Sequence, residues 1–331
     1  MREGAVMKLP RRRFLHLAAG AATLPALPRF AWAQVYPSRP VRIVVGFPPG
    51  GPNDIHARLI GAWLSERLGQ PFVIDNRPGA GGNIGTEAVI NAPSDGYTLL
   101  LVPLSSAINA TLYDKLNFNF IRDIAPVAAI SRSVMVLVMH PSVPAKTVPE
   151  LIAYAKANPG TLNMASPGIG TGPHMAGELF KMMTGVNMVH VPYRGSAPMQ
   201  TALLGGQVEF AFDGMSSSIE HIRAGKLRAL AVATGTRSEA LSDISTVGDF
   251  VPGYEASSWF GVGAPRNTPT EIVDKLNNEI NAGLADPKIK ARLADLGVTV
   301  FSGSPADFGK LIADETEKWA KVVKFAGLKP D

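Results

Sequence analysis

Cysteine is missing from the 331-residue sequence. Disulfide bonds, thiolate nucleophiles, cysteine-based zinc sites and a lipid attached through cysteine are therefore excluded. Common catalytic motifs are missing too: there is no Gly-x-Ser-x-Gly elbow, His-Glu-x-x-His zinc motif, Gly-x-x-x-x-Gly-Lys-Ser/Thr phosphate loop or Gly-x-Gly-x-x-Gly dinucleotide fingerprint. The histidines lack the spacing of metal ligands. We therefore predict no catalytic centre, no cofactor and no metal.

Residues 34–331 carry no excess of positive charge. Residues 1–33 hold six of the 32 basic residues and one of the 27 acidic residues, which leaves 26 of each in the rest of the chain. The net charge of +5 is therefore an N-terminal feature, and no nucleic-acid partner is expected. With 46% apolar residues, the chain is long enough for a large core and about two domains. We expect a monomer.

No apolar run is long enough to span a bilayer, which takes about 20 residues. The run from Phe14 to Leu27, a basic start and the small-residue pattern Ala31-Trp32-Ala33 instead predict an export signal, residues 1–33, cut before Gln34. Within it, Arg11-Arg12-Arg13-Phe14-Leu15 resembles a twin-arginine signal, with an ordinary secretory signal as the alternative. A periplasmic location follows from either interpretation.

Two similar passages, Ile43–Asp54 and Leu162–His174, are the most informative feature that is present. Each reads as a strand, a glycine-rich turn and the start of a helix, so each presents unpaired backbone N–H groups and a positive helix end beyond its strand. Two such ends facing each other would clamp a small anion.

Strand and helix patterns alternate along the chain, which predicts an α/β protein with mostly parallel sheets. The predicted strands are 41–45, 72–75, 98–102, 162–165, 188–192 and 208–212, and the predicted helices are 55–68, 84–91, 173–184, 198–204, 269–284, 287–296 and 305–325. The order repeats after about 120 residues, which indicates two similar lobes. Extended segments at 134–139 and 257–265 are candidate crossovers, so we expect lobe 1 to comprise 34–137 plus 259–331 and lobe 2 to comprise 138–258.

Five blocks of sequence, in order along the chain, resemble the Bug-type extracytoplasmic solute receptors, the substrate-binding proteins of tripartite tricarboxylate transport. The blocks are Arg42–Gly51, Asn76–Gly85, Asp95–Leu100, His174–Phe180 and Ala224–Val232. The resemblance implies a type II periplasmic-binding-protein fold, with two α/β lobes joined by two crossover strands and a ligand cleft that closes. It also implies a small carboxylated solute, held largely by backbone amides and ordered water, and an integral-membrane permease as partner.

In the first glycine-rich passage the candidate ligand-binding residues are Phe47, Pro49, Gly50, Asn53 and Asp54. Pro49 and Gly50 allow the backbone to approach a ligand, and Phe47 is a candidate wall of the cleft or a core residue. Asp54 either caps the next helix or contacts the solute, and it would then accept from an amine, hydroxyl or water, because a carboxylate repels an anion.

Ser105 and Ser106 follow a strand, where open α/β sheets bind ligands, or they cap a segment that starts near Ile108. The second passage contributes further candidates, with His174 assigned to fixing the loop in preference to binding the solute. These candidates are Ser166, Gly168, Gly170, Thr171 and His174.

The last candidates follow strands in the second unit. Tyr193 and Arg194 are candidate contacts for a solute carboxylate, and Asp213 is a candidate acceptor. The anion clamp, taken together with the resemblance to the Bug-type receptors, implies a receptor that captures a small carboxylate between two lobes. The alternative is a periplasmic α/β enzyme acting on a small organic acid, with Asp54, His174 or Asp213 as acid or base.

Overall fold

The computed structural model describes residues 36–330, so the predicted export signal lies outside the described residues. All elements below lie in the unit Pro37–Asp331. The strands are β1 Val41–Val45, β2 Phe72–Asn76, β3 Thr98–Pro103, β4 Ile124–Met139, β5 Asn163–Ser166, β6 Val189–Pro192, β7 Phe210–Gly214, β8 Arg228–Val232, β9 Ser257–Pro265 and β10 Val298–Val300. The helices are α1 Pro52–Leu68, α2 Asn83–Ile90, α3 Ser105–Leu112, α4 Phe120–Asp123, α5 Val148–Ala157, α6 Gly172–Thr184, α7 Ser196–Leu204, α8 Met215–Arg223, α9 Thr270–Ala285, α10 Pro287–Asp295 and α11 Pro305–Ala326.

The strands form one path in the order β2-β1-β3-β9-β4-β7-β5-β6, and β8 and β10 also pair with β4. The pairs β1–β2, β1–β3, β5–β6 and β5–β7 are parallel, as expected for strands joined by helices. The mixed α/β class is therefore confirmed.

Strand β4 connects the two parallel groups. Its residues 124–134 pair antiparallel with β9, while its residues 135–139 pair antiparallel with β7. The predicted crossover at 134–139 is thus the second part of a 16-residue strand that begins ten residues earlier. Register shifts beside Pro126 and Ser131 interrupt the ladder, which explains why the sequence of the first part does not read as a strand.

Most predicted elements are present within one to three residues of their expected ends. The predicted strand 208–212 lies two residues later, at Phe210–Gly214, because its pairing with β5 begins at Phe210. Helices α4, α5 and α8 and strands β8 and β10 were not predicted. No helix of the described residues has the length and apolar character that crossing a membrane requires.

Buried aromatic side chains join elements that are distant in sequence. Phe180 of α6, Phe212 of β7 and Tyr254 contact one another with ring centroids about 6 Å apart, and the Tyr254 hydroxyl donates to the Ala176 carbonyl at 2.9 Å. Burial of each such ring stabilises the fold by roughly 1.5–3 kcal/mol. The loops that follow the strands are therefore carried by a rigid framework.

Candidate functional site

A cavity of about 690 Å³ lies where the loops after β1, β3, β5, β6 and β7 meet. These loops leave the carboxyl ends of parallel strands, which is where open α/β sheets bind ligands. Eight predicted site residues line the cavity: Phe47, Pro49, Gly50, Asn53, Ser105, Gly170, Thr171 and Asp213. The two glycine-rich passages therefore meet at one place. Contact with a ligand stays a prediction for each of these residues.

Five helices begin at this cavity, and none of them has a side-chain hydrogen bond at its N-cap. They are α1, α3, α6, α7 and α8, and residues at the start of each line the cavity. Of the other six helices of the described residues, α4, α5, α10 and α11 have a side-chain cap, whereas α2 and α9 do not. The uncapped ends leave first-turn N–H groups and partial positive charge available to an anion.

The start of α6 has no side-chain cap even though Thr171, a residue able to cap a helix, stands there. Thr171 occupies the N-cap position of α6, where a threonine commonly accepts from the helix backbone. Here its hydroxyl instead donates to the Gly168 carbonyl at 2.7 Å. The residue that can cap the helix stabilises the turn before it, and the helix end stays open to the cavity.

Asp54 holds the first loop and does not line the cavity. Its Oδ2 accepts from the backbone N–H of Gly50 at 2.9 Å and from Arg58 Nε at 2.8 Å. The hydrogen bond from Arg58 is the main cause that lowers the pKa of Asp54. The carboxylate is buried and bonds back to the loop before α1, whose N-cap is Gly51, so it fixes this loop without capping the helix.

Ser166 and His174 hold the second loop in a similar way, and neither they nor Gly168 line the cavity. His174 Nδ1 accepts from the Gly170 N–H at 3.1 Å, which places its proton on Nε2, 3.7 Å from Glu178 Oε1. Ser166 Oγ lies 2.7 Å from His190 Nε2 and accepts from the Gly168 N–H at 3.2 Å. The loop role predicted for His174 agrees with this geometry.

The imidazole rings of His174 and His190 stack with centroids 3.7 Å apart. Burial and the neighbouring His174 lower the pKa of His190 to about 3. Two stacked rings cannot both be charged at low cost, and His190 stays neutral in the folded protein until the pH falls to about 3.

Asp213, at the end of β7, lines the cavity and is 1% exposed. Its Oδ2 accepts from Ser218 Oγ at 2.7 Å and from Gln200 Nε2. Burial raises the pKa of Asp213 to about 6, although hydrogen bonds from Ser218, Gly214 and Gln200 oppose the shift. It is a carboxyl group whose charge is poorly compensated.

The remaining predicted residues are less central. The helix expected to start near Ile108 starts at Ser105, and neither Ser105 nor Ser106 caps it; Ser105 Oγ is buried without a protein partner. Tyr193 is half-buried and donates its backbone N–H to Ser166, while the side chain of Arg194 is exposed. Ser106, Tyr193 and Arg194 lie outside the cavity lining.

His56 was not predicted, yet it lines the cavity and is 2% exposed. Its Nδ1 donates to the Pro52 carbonyl at 2.7 Å, and its ring stacks on Phe260 at 4.1 Å. Burial lowers its pKa, so Nε2 is an acceptor, and that atom is buried without a protein partner. Its position three residues after Asn53, on the same helix face, was the available signal.

Two other groups were missed. Asn109 of α3 lines the cavity and donates to the Gly81 carbonyl at 3.0 Å, which braces a neighbouring turn. Ser216 and Ser217 line it because α8 begins just after β7. The Asp213-Gly214 pair before three serines, at the end of a strand, was the signal for that helix start.

The side chains around the cavity include no lysine or arginine. The walls are largely apolar and include Trp259 and Phe47, of which Phe47 is considered as a wall from the sequence. Within residues 36–330 no group of His, Asp and Glu is arranged to hold a metal ion. An anion in the cavity would therefore depend on helix ends, N–H groups and hydroxyls.

A family model described as "Tripartite tricarboxylate transporter family receptor", TctC, matches residues 56–328. The chain belongs to the TctC family. It is 38% identical to protein BugT of Bordetella pertussis over 300 residues, which cover 90% of this chain and 92% of BugT. Rpa4515 of R. palustris, solved with adipate, is 41% identical, has a TM-score of 0.80, and is matched over 89% of this chain and all of that one.

MatC of Rhodopseudomonas palustris, solved with bound malate, is 33% identical to this TctC-family chain, with a TM-score of 0.76 over 87% of this chain and all of MatC. The family model describes a receptor rather than an enzyme. The receptor interpretation and the two-lobe fold are thus confirmed, and the enzyme alternative is set aside.

Proposed function

We propose that this TctC-family receptor binds a small carboxylate in the cavity, with the carboxylate held by the N-terminal ends of the surrounding helices. The observation that carries the proposal is the set of five uncapped helix starts, α1, α3, α6, α7 and α8, around one cavity without a basic side chain. Helix N-termini bind anions through their free N–H groups and the helix dipole.

The ligands of two relatives support this assignment. Rpa4515 was solved with adipate and MatC with malate, and both molecules are small dicarboxylates. The largely apolar walls here, which include Phe47, Trp259 and Phe260, favour an acid with an apolar body, as in adipate, over one with hydroxyl groups along its chain.

Capture is proposed to close two lobes, 34–137 plus 259–331 and 138–258, about the adjacent strands β4 and β9. The antiparallel pairing of β4 with β9 on one side and with β7 on the other supports a hinge there. Small-angle scattering should show a smaller radius of gyration with bound acid, and an unchanged radius would contradict closure.

Delivery to a tripartite tricarboxylate-type permease and export to the periplasm complete the proposal. Family membership supports the permease, and the sequence of residues 1–33 supports export. N-terminal sequencing of the exported protein should begin at Gln34, and an intact Met1 would contradict cleavage. Cells that lack the chain should take up the labelled acid more slowly if it serves a permease.

The ligand class is tested by thermal-shift screening of mono-, di- and tricarboxylates, aromatic acids, cations and neutral sugars, followed by calorimetry. Adipate is compared with its neutral diamide, which has the same shape without the charge. Acids should raise the melting temperature and the diamide should not. Stabilisation only by cations or sugars would refute the proposal, while native mass spectrometry of protein from its own periplasm identifies the physiological solute.

A further inference from the structure

Asp213 differs from the other acidic side chains near the site. Asp54 has Arg58 as a partner and Glu178 has Lys181, at 2.8 and 2.9 Å. Asp213 is buried at the cavity wall, and no basic group is paired with it. Its hydrogen-bond partners are neutral: Gln200 and Ser218 donate to Oδ2, and the backbone N–H of Gly214 also donates to the carboxyl group. Oδ1 is therefore the oxygen without a side-chain donor.

The elements packed around Asp213 do not supply a counter-charge. Strand β5 and helix α7 carry no titratable side chain, and the groups on the other neighbouring elements form no hydrogen bond or ion pair with it. These groups are Arg132 on β4, His174, Glu178 and Lys181 on α6, and Glu220, His221 and Arg223 on α8. Of the residues that share the cavity wall, His56 is buried in its neutral form.

A second negative charge in the same cavity destabilises the ionised form of Asp213 further. Two carboxylates in one partly desolvated site repel, and one of them takes up a proton. The solute would be the acid that stays ionised, because helix ends stabilise its charge, whereas Asp213 is enclosed by neutral groups.

We propose that Asp213 binds the solute in its protonated form, donating a hydrogen bond from Oδ1 to a solute carboxylate directly or through one water, so that one proton is taken up on binding. This rests on the proposed carboxylate function. It also changes the role expected from the sequence: Asp213 becomes a donor that positions the solute and makes its affinity depend on pH.

The direction of that dependence follows from linkage. Burial raises the pKa of Asp213 in the free protein to about 6, and a bound anion raises it further. Below pH 6 the Asp213 carboxyl is already protonated in the free protein. Above pH 6 it must take up a proton on binding, and this uptake reduces the free energy of binding. Affinity should therefore fall as the pH rises above 6, approaching about tenfold per pH unit.

The test is calorimetry with adipate from pH 6.5 to 8.5, where adipate itself is ionised, in two cationic buffers of different ionisation enthalpy, imidazole and Tris, at each pH, because a phosphate buffer would compete for the helix ends. Wild-type protein should show a rising dissociation constant and an uptake of up to one proton, given by the difference in enthalpy between the buffers. Asp213→Asn, a neutral side chain of the same shape, should bind with little pH dependence and no proton uptake. Asp274→Asn on the exposed face of α9 removes the same charge and should behave as wild type.

Equal affinity at all pH values without proton uptake would overturn the role of Asp213 and leave the carboxylate function intact. If neither adipate nor any acid of the screen binds at any pH, the carboxylate function fails and this inference with it. If Asp213→Asn does not fold, the protonation state of Asp213 in the wild-type protein can be measured by NMR of its carboxyl carbon. The Asp213 signal should titrate near pH 6 in the free protein and stay protonated at pH 7.5 with adipate, and an ionised signal there would refute the donor role.

Discussion

Gly170 offers the sharpest perturbation of the second loop. Its backbone has φ of +72°, and an added Cβ would lie 2.7 Å from Leu112 Cδ2. A Gly170→Ala substitution therefore costs about 1 kcal/mol for the left-handed conformation, plus the displacement needed to clear Leu112. The contact with buried Leu112 pushes the loop away from α3 and moves the first turn of α6.

The consequence for binding follows from the first-turn N–H groups. Displacement that removes one hydrogen bond to a charged carboxylate costs about 1.5–3 kcal/mol, which is roughly a 10- to 150-fold rise in the dissociation constant. Calorimetry with the best acid of the screen measures this, and urea denaturation measures stability in parallel.

Gly185→Ala is the matched control. Gly185 ends the same helix with φ of +68°, but an added Cβ there meets no atom within 4 Å. It should lower the free energy of unfolding by about 1 kcal/mol and leave the affinity within twofold. Equal affinities for the two variants would refute the idea that the start of α6 binds the solute.

Two further predictions concern the loops and the histidine pair. Asp54→Asn should weaken acid binding by roughly tenfold, because Gly50 and Arg58 lose the carboxylate that fixes the first loop. Asp307→Asn, which breaks the capping box with Ser304 at the start of α11, should lower stability by about 1 kcal/mol and leave affinity unchanged. A loss of affinity in both variants would refute the local role of Asp54. His190 has a lowered pKa in the folded state, so its stabilising contribution is present above pH 6.5 and is lost as the pH falls toward about 3. Urea denaturation at pH 7.5 and 4.5 should show a smaller acid loss for His190→Asn than for wild type, and an equal loss would contradict this.

Local signals in the sequence were sufficient for much of the fold. Prolines and glycines at helix ends placed α1, α6, α10 and α11, because these residues act through backbone conformation alone. Strand β4 was recognised only in part, since its first half depends on pairing with β9 and contains Pro126. Pairing partners are a property of the whole fold and leave a weak local trace.

The same distinction holds at the site. The two glycine-rich passages could be predicted to meet, because loops after parallel strands share one edge of the sheet. The missing counter-charge of Asp213 could not, because it depends on what packs around that side chain in three dimensions. For His56 the local signal was its spacing of three residues from Asn53 on one helix. Arg194 shows the converse: its charge suggested a solute contact, and its side chain is exposed outside the cavity lining.

A crystal structure of the protein with the acid that gives the largest thermal shift examines the helix-end mechanism most directly. A carboxylate oxygen should lie about 3 Å from the backbone nitrogen of Gly172 or His174, in the first turn of α6, without a lysine or arginine contact. A carboxylate bound by basic side chains, or bound outside the cavity between the two glycine-rich loops, would contradict it.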